Sequence, residues 1–398
     1  MRISTTEMFR NGIQAIQQHQ SVLARTQEQL ATGRRFLSPA DDPGAAVQAL
    51  KLREGIDAVE QYARNAVVAQ SRLTQEESVL DQMGRSLQRA RELAVQSGSA
   101  ALDGPSRAAI AREIRQIGDA LIDLANTRDA NGEYLFAGFR SQNEPFVRNA
   151  GGVVEYLGDQ GVRRIDLSPD RAVSAGDSGI SFMTIPRGNG TFVVLPAASN
   201  TGTAHVASAE VVDASAVDDA SFVVAFTSAT AYEVRDGGGA LVSSGALAPG
   251  QAIDVGGRRI SFEGAPAAGD VFDIDPAHET SMFAMVDALA ALLEAPGQDA
   301  AAGARRSDAL SVSLQNLDQA LGRVMEVRSD VGARLQTIDE YGLVNEDRTL
   351  GLTTALSAVE DLDYAEAISR FELQQVALQA AQQTYVQLNR LTLFDFVR

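Results

Sequence analysis

Large apolar residues recur every seven positions at both ends of the chain, and no other feature constrains the fold as much. Phe9, Ile16, Leu23 and Leu30 make one column near the start, and Tyr364, Phe371, Leu378 and Tyr385 make another near the finish. A step of seven puts side chains on one stripe of an α-helix, the stripe that seeks a partner helix in a coiled coil. Counting four onward from each column residue, the complementary seam positions hold Ile13, Gln20 and Gln27 at the start, and Ile368, Gln375 and Gln382 at the end. Polar residues at a seam weaken pairing but fix its register. The pattern predicts two matched half-seams that pair antiparallel, with the rest of the chain an excursion out and back.

The chain between them supports this. The first helix is expected from Thr5 to Ala31, stopped by Gly33, because glycine tolerates the left-handed backbone of a helix C-terminus. Asp42 then offers an N-cap and Pro43 a first helical residue whose missing N–H costs nothing. The longest regular column follows: Ala45, Leu52, Val59, Ala66, Leu73, Leu80, Leu87 and Ala94. At 1.5 Å per residue such a helix, some fifty residues, is a rod of roughly 80 Å. A third helix, with Ile110, Ile114, Ile117, Leu121 and Leu124, is expected to fold back on it.

From residue 139 to 278 the pattern changes to short apolar runs such as Phe192-Val193-Val194-Leu195 and Phe222-Val223-Val224-Ala225-Phe226, punctuated by Gly, Asn, Asp and Pro. Such runs predict short strands in a sandwich or barrel. Pro196 to Ala220, rich in Ala, Ser and Asp, reads as a long loop or a link between two β-subdomains. Helices are expected again over Glu279–Glu294, Gly303–Gly342 and Thr353–Leu391. The fold class is therefore α+β and multidomain: a long antiparallel coiled coil or helical bundle formed by both termini, with a β-rich region inserted at its tip. The expected divisions are 1–40, 41–138, 139–278, 279–352 and 353–398.

Composition narrows the function. The net charge is −18 and Lys51 is the only lysine, so nucleic acid and anionic membranes, which need clustered positive charge, are poor partners. The charge is uneven: residues 1–40 carry five arginines against Glu7 and Glu28, whereas residues 201–278 hold eleven acids and three arginines. Cysteine is absent, which removes disulfides and thiolate chemistry. The opening MRISTTEMFRNG has no apolar signal core and no stretch of about 18 apolar residues exists, so export without a cleaved signal peptide, and no membrane insertion, are expected.

Catalytic and cofactor signatures are missing. His19, His205 and His278 fall in three different elements, at no spacing that zinc sites use. No Gly-x-Ser-x-Gly elbow or phosphate-binding loop occurs, and Gly237-Gly238-Gly239 sits in a β-region without a following helix. Asp361 and Asp363 lack the rest of a calcium loop and read as helix caps. The expectation is a protein that is not an enzyme and holds no cofactor or metal.

Two motifs then point to a family. Leu30-Ala31-Thr32-Gly33-Arg34-Arg35 followed by Ser38-Pro39-Ala40-Asp41-Asp42-Pro43 resembles the N-terminal signature of the bacterial flagellin family, L-S-T-G-K-R … S-x-x-D-D-P, with Ala31 for serine and Arg34 for lysine. Ala355 to Ala367 and the Gln- and Ala-rich stretch Gln374 to Gln383 resemble its C-terminal arm, while Gly132-Glu133-Tyr134-Leu135-Phe136-Ala137-Gly138 and the ending Leu391-Thr392-Leu393-Phe394-Asp395-Phe396 look more like the family's junction members than its filament subunits. The resemblance covers residues 1–140 and 280–398 and leaves the β-rich middle unspecified. It implies a structural role in the flagellum: a ring or short helical layer of self-associating subunits between the hook and the filament, contacting a hook-associated protein and flagellin. It also implies type III export to the cell exterior, with an export chaperone on the C-terminal helix. The residues expected to pack the terminal helices and subunits are Phe9, Ile16, Leu23, Leu30, Phe371, Leu378, Tyr385, Leu388, Leu391 and Phe394, with Gly33, Asp41, Asp42 and Pro43 forming the family-motif turn. A filament subunit and an elongated surface adhesin are the alternatives. The terminal segments, with their Gln-rich seam, are expected to gain order on assembly.

Overall fold

The computed structural model describes residues 5–99, 102–248, 251–296 and 299–395, without the side chains of residues 5, 6, 8 and 388–395. In chain order, α1 (Thr5–Thr32), α2 (Pro43–Ser97) and α3 (Gly104–Ala125) come first. Next are the hairpins β1 (Phe146–Arg148) with β2 (Val154–Tyr156) and β3 (Arg164–Ser168) with β4 (Arg171–Ser174), the short α4 (Ile180–Met183) and β5 (Thr184–Pro186). Strands β6 (Phe192–Pro196), β7 (His205–Val211), β8 (Phe222–Ser228), β9 (Ala231–Asp236), β10 (Leu241–Ala246), β11 (Ala252–Val255), β12 (Arg258–Glu263), β13 (Val271–Pro276) and β14 (Glu279–Ser281) follow. The chain closes with α5 (Met282–Glu294), α6 (Ala300–Glu360) and α7 (Tyr364–Asp395). It divides into two compact units, residues 1–64 with 340–398, and residues 65–339.

In the first unit α1 pairs with α7, and the start of α2 pairs with the end of α6. The latter pairing is antiparallel: the Arg53 guanidinium lies 2.6 Å from the Glu360 carboxylate, while at Gly55 an added Cβ would sit 3.4 Å from Leu352. Helix α6 corrects one expectation. It runs unbroken through residues 342–353, where Gly342 and Gly351 look like stops; neither has side-chain neighbours that would meet a Cβ. An interior glycine costs about 1 kcal/mol against alanine, too little to end a helix of 61 residues. The break comes instead at Asp361-Leu362-Asp363, where the Asp363 carboxylate accepts the Ala365 and Glu366 N–H groups at 2.9 and 3.2 Å. Asp363 is thus the cap its sequence context suggests.

In the second unit, the seven-step column of α2 is buried where expected, at Leu73, Leu80 and Leu87. On α6 the buried counterparts are Leu317, Val324 and Val331. Ion pairs Arg91–Asp318 and Arg328–Glu77, both at 2.6 Å, flank the helices and fix their antiparallel register. Helix α3 turns back, linked to α2 by the 2.8 Å pair Arg89–Glu113, and packs on α5. Gly118 allows that approach, since a Cβ there would come 3.3 Å from Val286.

The β-rich region contains an antiparallel sandwich. One sheet has the order β10-β9-β8-β13-β6 and the other β11-β12-β7. Alternate residues of both sheets, among them Phe192, Phe222, Val224, Phe226, Ile260, Phe262, Phe272 and Ile274, close one core. Phe226, Phe262 and Phe272 meet edge to face with centroids 4.8 to 5.9 Å apart, a favoured aromatic geometry. Two expectations are revised here. The stretch Pro196–Ala220 contains β7, which pairs with β12 even though its exposed residues include Ala207, Ser208 and Glu210. Glu279–Ser281 is not the first turn of a helix but β14, paired with β5.

Candidate assembly site at the terminal helices

Helix α1 runs antiparallel to α7. The Phe9 and Tyr385 rings meet edge to face at 6.0 Å, and the Thr26 hydroxyl donates to Gln374 Oε1 at 2.9 Å, so contacts ascend one helix as they descend the other. Phe9, Ile16, Leu23 and Leu30 are partly buried, as are Phe371, Leu378 and Tyr385. Tyr364, the first member of its column, stays largely exposed. Leu388, Leu391 and Phe394 belong to α7, but their side chains lie outside the described residues.

The second column of each seam lies elsewhere than expected. Ile13 and Ile368 are 43% and 48% exposed, and Gln20, Gln27, Gln375 and Gln382 also face solvent. The inward residues are Gly12, His19 and Thr26 on α1 and Ala367, Gln374 and Ala381 on α7. The spacing therefore goes three then four from Phe9, not four then three. Size explains the choice at Gly12, where an added Cβ would stand 3.1 Å from the Tyr385 ring. The available signal was size, not hydrophobicity, because isoleucine at 13 and 368 is the more apolar candidate.

The motif turn is a clamp. Gly33 has φ 69° and its N–H donates to the Gln29 carbonyl at 2.8 Å, ending α1 in the left-handed conformation that favours glycine. Its carbonyl accepts the Leu362 N–H at 2.9 Å, and the Arg35 N–H donates to the Glu360 carbonyl at 2.7 Å. Arg34 and Asp361 form an isolated antiparallel bridge between these bonds. The α1–α2 connection is thereby tied to the α6–α7 connection by backbone hydrogen bonds. Asp41 holds the turn inside, accepting from the Leu37 and Ser38 N–H groups at 3.0 Å each and pairing with Arg25. Asp42 Oδ1 accepts the Ala45 N–H at 2.9 Å and Pro43 begins α2, a capped start as expected. Each of the four motif residues thus has a mechanical role in joining the helix pairs.

Outside its seam, α7 also carries exposed aliphatic residues among its glutamates and glutamines. Leu373 is 72% and Val376 63% exposed, and Val386 is half exposed. Large exposed aliphatic side chains on a helix mark surface that a partner can cover. Chemically the site offers packing surface and backbone hydrogen bonds. Among the described residues no group of three His, Asp or Glu could hold a metal ion, and no described helix is long and apolar enough to cross a membrane.

Residues 3–141 match the profile of the bacterial flagellin N-terminal helical region, and residues 314–397 that of the C-terminal helical region. FlgL of Xanthomonas campestris is 35% identical, with a TM-score of 0.72 over 77% of this chain and 99% of that one. The chain belongs to the bacterial flagellin family. Within the flagellins it is similar end to end to flagellar hook-associated protein 3 of Escherichia coli (strain K12), 27% identical over 99% of both chains. The flagellar junction protein FlgL of Legionella pneumophila is 30% identical, with a TM-score of 0.71 over 79% of this chain and all of that one. The flagellin signature thus falls on the α1–α2 clamp described above, which gives its Gly, Asp and Pro residues a physical reason.

Proposed function

We propose that this chain is a structural subunit of the bacterial flagellum, forming the layer that joins the hook to the flagellin filament. Its relatives named for the hook-associated and junction positions match it over nearly their whole length. The observation that carries the assembly role is α7: one face half-buried on α1, with Leu373 and Val376 exposed outside it. Covering each such side chain is worth about 1.5–3 kcal/mol, and copies of the same chain, in a ring or short helical layer, supply the cover. Phe9, Ile16, Leu23, Leu30, Phe371, Leu378, Tyr385, Leu388, Leu391 and Phe394 serve this packing, with hook-associated protein and flagellin as the flanking neighbours. The terminal segments 1–40 and 353–398 form the assembling element, and residues 139–278 are a variable insertion. The subunit works outside the cell after export, with a chaperone covering α7 until then, and performs no catalysis.

Deleting residues from Phe371 onward tests this. The truncated chain should keep a folded β-region yet fail to enter flagella; cells carrying only that chain and growing normal filaments would overturn the assembly role. The second reading, a filament subunit, is separated by copy number, because a filament protein dominates a sheared filament preparation.

A further inference from the structure

Strand β7 forms one edge of the three-stranded sheet, paired to β12 and open on its other side. That open side faces α6, and hydrogen bonds tie this side of the β-region to the helix. Asn316 Oδ1 accepts the Gly188 N–H at 2.7 Å, the Arg305 guanidinium donates to the Asn200 carbonyl, and Asp308 Oδ1 accepts the Val206 N–H at 2.6 Å. Asp308 stands apart in this row. The residue is 1% exposed, and its second oxygen, Oδ2, is buried without any hydrogen-bond partner among the described residues.

A buried carboxylate with one unsatisfied oxygen and no ion pair is costly, whereas a neutral carboxyl of the same shape is not. The charged groups around it do not supply the missing compensation. His205, next to Val206 on β7, acts on it through space, but its Nε2 lies 3.8 Å from Glu263 on β12. Arg305, on the same helix, is spent on the Asn200 carbonyl. Protonating Asp308 leaves Oδ1 free to keep the Val206 bond and removes the buried charge.

We propose that Asp308 is an acid-tightened latch between the β-sandwich and α6: with a neutral carboxyl the sandwich stays docked, and with a carboxylate it undocks more often. The direction of titration agrees. Burial pushes the Asp308 carboxyl up to about 6, opposed by the Val206 hydrogen bond and by His205. A raised folded-state value means docking strength that is fully present in acid and is lost as pH rises through about 6. Once undocked, the carboxyl returns to the ordinary range near 3.8. The docking constant should therefore fall about tenfold between about pH 5 and about pH 8.

The test is amide hydrogen exchange at Val206 in the full chain, corrected for the intrinsic pH dependence of exchange. The original chain should show protection about tenfold higher at about pH 5 than at about pH 8. Asp308→Asn, which keeps the acceptor and abolishes the charge, should hold the higher protection at both values. His205→Gln should leave the pH step in place. Equal protection of the original chain at the two pH values, a step that survives in Asp308→Asn, or a step that disappears in His205→Gln would each overturn the latch. Exchange at Val224, in the middle of the sandwich core, serves as the folding control and should not move in any variant.

Discussion

The sandwich and the terminal helix pair use the same kinds of side chain to opposite ends. In the sandwich, Phe226, Phe262 and Phe272 are fully enclosed by residues of the same chain. Along α1 and α7, by contrast, Phe9, Leu23, Phe371 and Tyr385 are only partly covered, and α7 exposes leucine and valine outside the seam. Two helices have too few faces to enclose their own seam. One region thus has a finished core, while the other leaves its seam part-covered, as the proposed assembly role requires.

The largest effect that would sharpen this contrast is Phe226→Ala, expected to cost the sandwich about 3–5 kcal/mol and leave the terminal pair unchanged. Urea unfolding followed by exchange at β8 and at α1 separates the two; equal losses in both would break the contrast. Gly33→Ala is expected to cost about 1–2 kcal/mol, because its φ of 69° disfavours any Cβ, which would also lie 2.8 Å from the Tyr364 hydroxyl. That variant should loosen the α1–α2 clamp without touching the sandwich, read as faster exchange at Leu362. Leu378→Ala is expected to cost the free chain about 1 kcal/mol, less than a fully buried leucine, yet to impair incorporation into flagella severely. A stability loss as large as that of Phe226→Ala would mean the seam is already closed in the free chain.

The smallest expected effect concerns pH. Glu76 on α2 is buried, accepts the Asp177 N–H at 3.1 Å, and its carboxyl is raised well above the usual range by burial first and by Asp177 second. Its contribution to stability is full in acid and is lost as pH rises through the raised value. Glu76→Gln should therefore flatten the decline of the urea midpoint between about pH 5 and about pH 8; an unchanged slope would show that Glu76 is ionised throughout.

What could be read from the sequence follows from which signals are local. The α2 column, the Gly33 stop, the Asp42 cap and the Phe- and Val-rich strands are local patterns, and each appears in the fold. The seam offset was not legible because heptad steps of three and four fit the columns equally well, and the more apolar option pointed to Ile13 and Ile368. Tertiary approach decided for Gly12 and Thr26, whose small size a hydrophobic pattern does not weigh. Strand β7 was hidden for a related reason: an edge strand pinned by backbone hydrogen bonds to β12 and by Asp308 needs little apolar surface of its own. Asp308 itself reads as one more polar residue on a helix until the sandwich is placed against it.

The central claim, that the α1–α7 seam is completed only by neighbouring subunits, is tested most directly by hydrogen exchange over residues 9–30 and 371–385 in the free chain and in assembled flagella. Exchange in the free chain should be much faster than over β8 and β13, and should slow by about a hundredfold or more on assembly, the equivalent of about 2.7 kcal/mol of added local stability. Terminal helices as protected in the free chain as the sandwich strands, and unchanged on assembly, would contradict it.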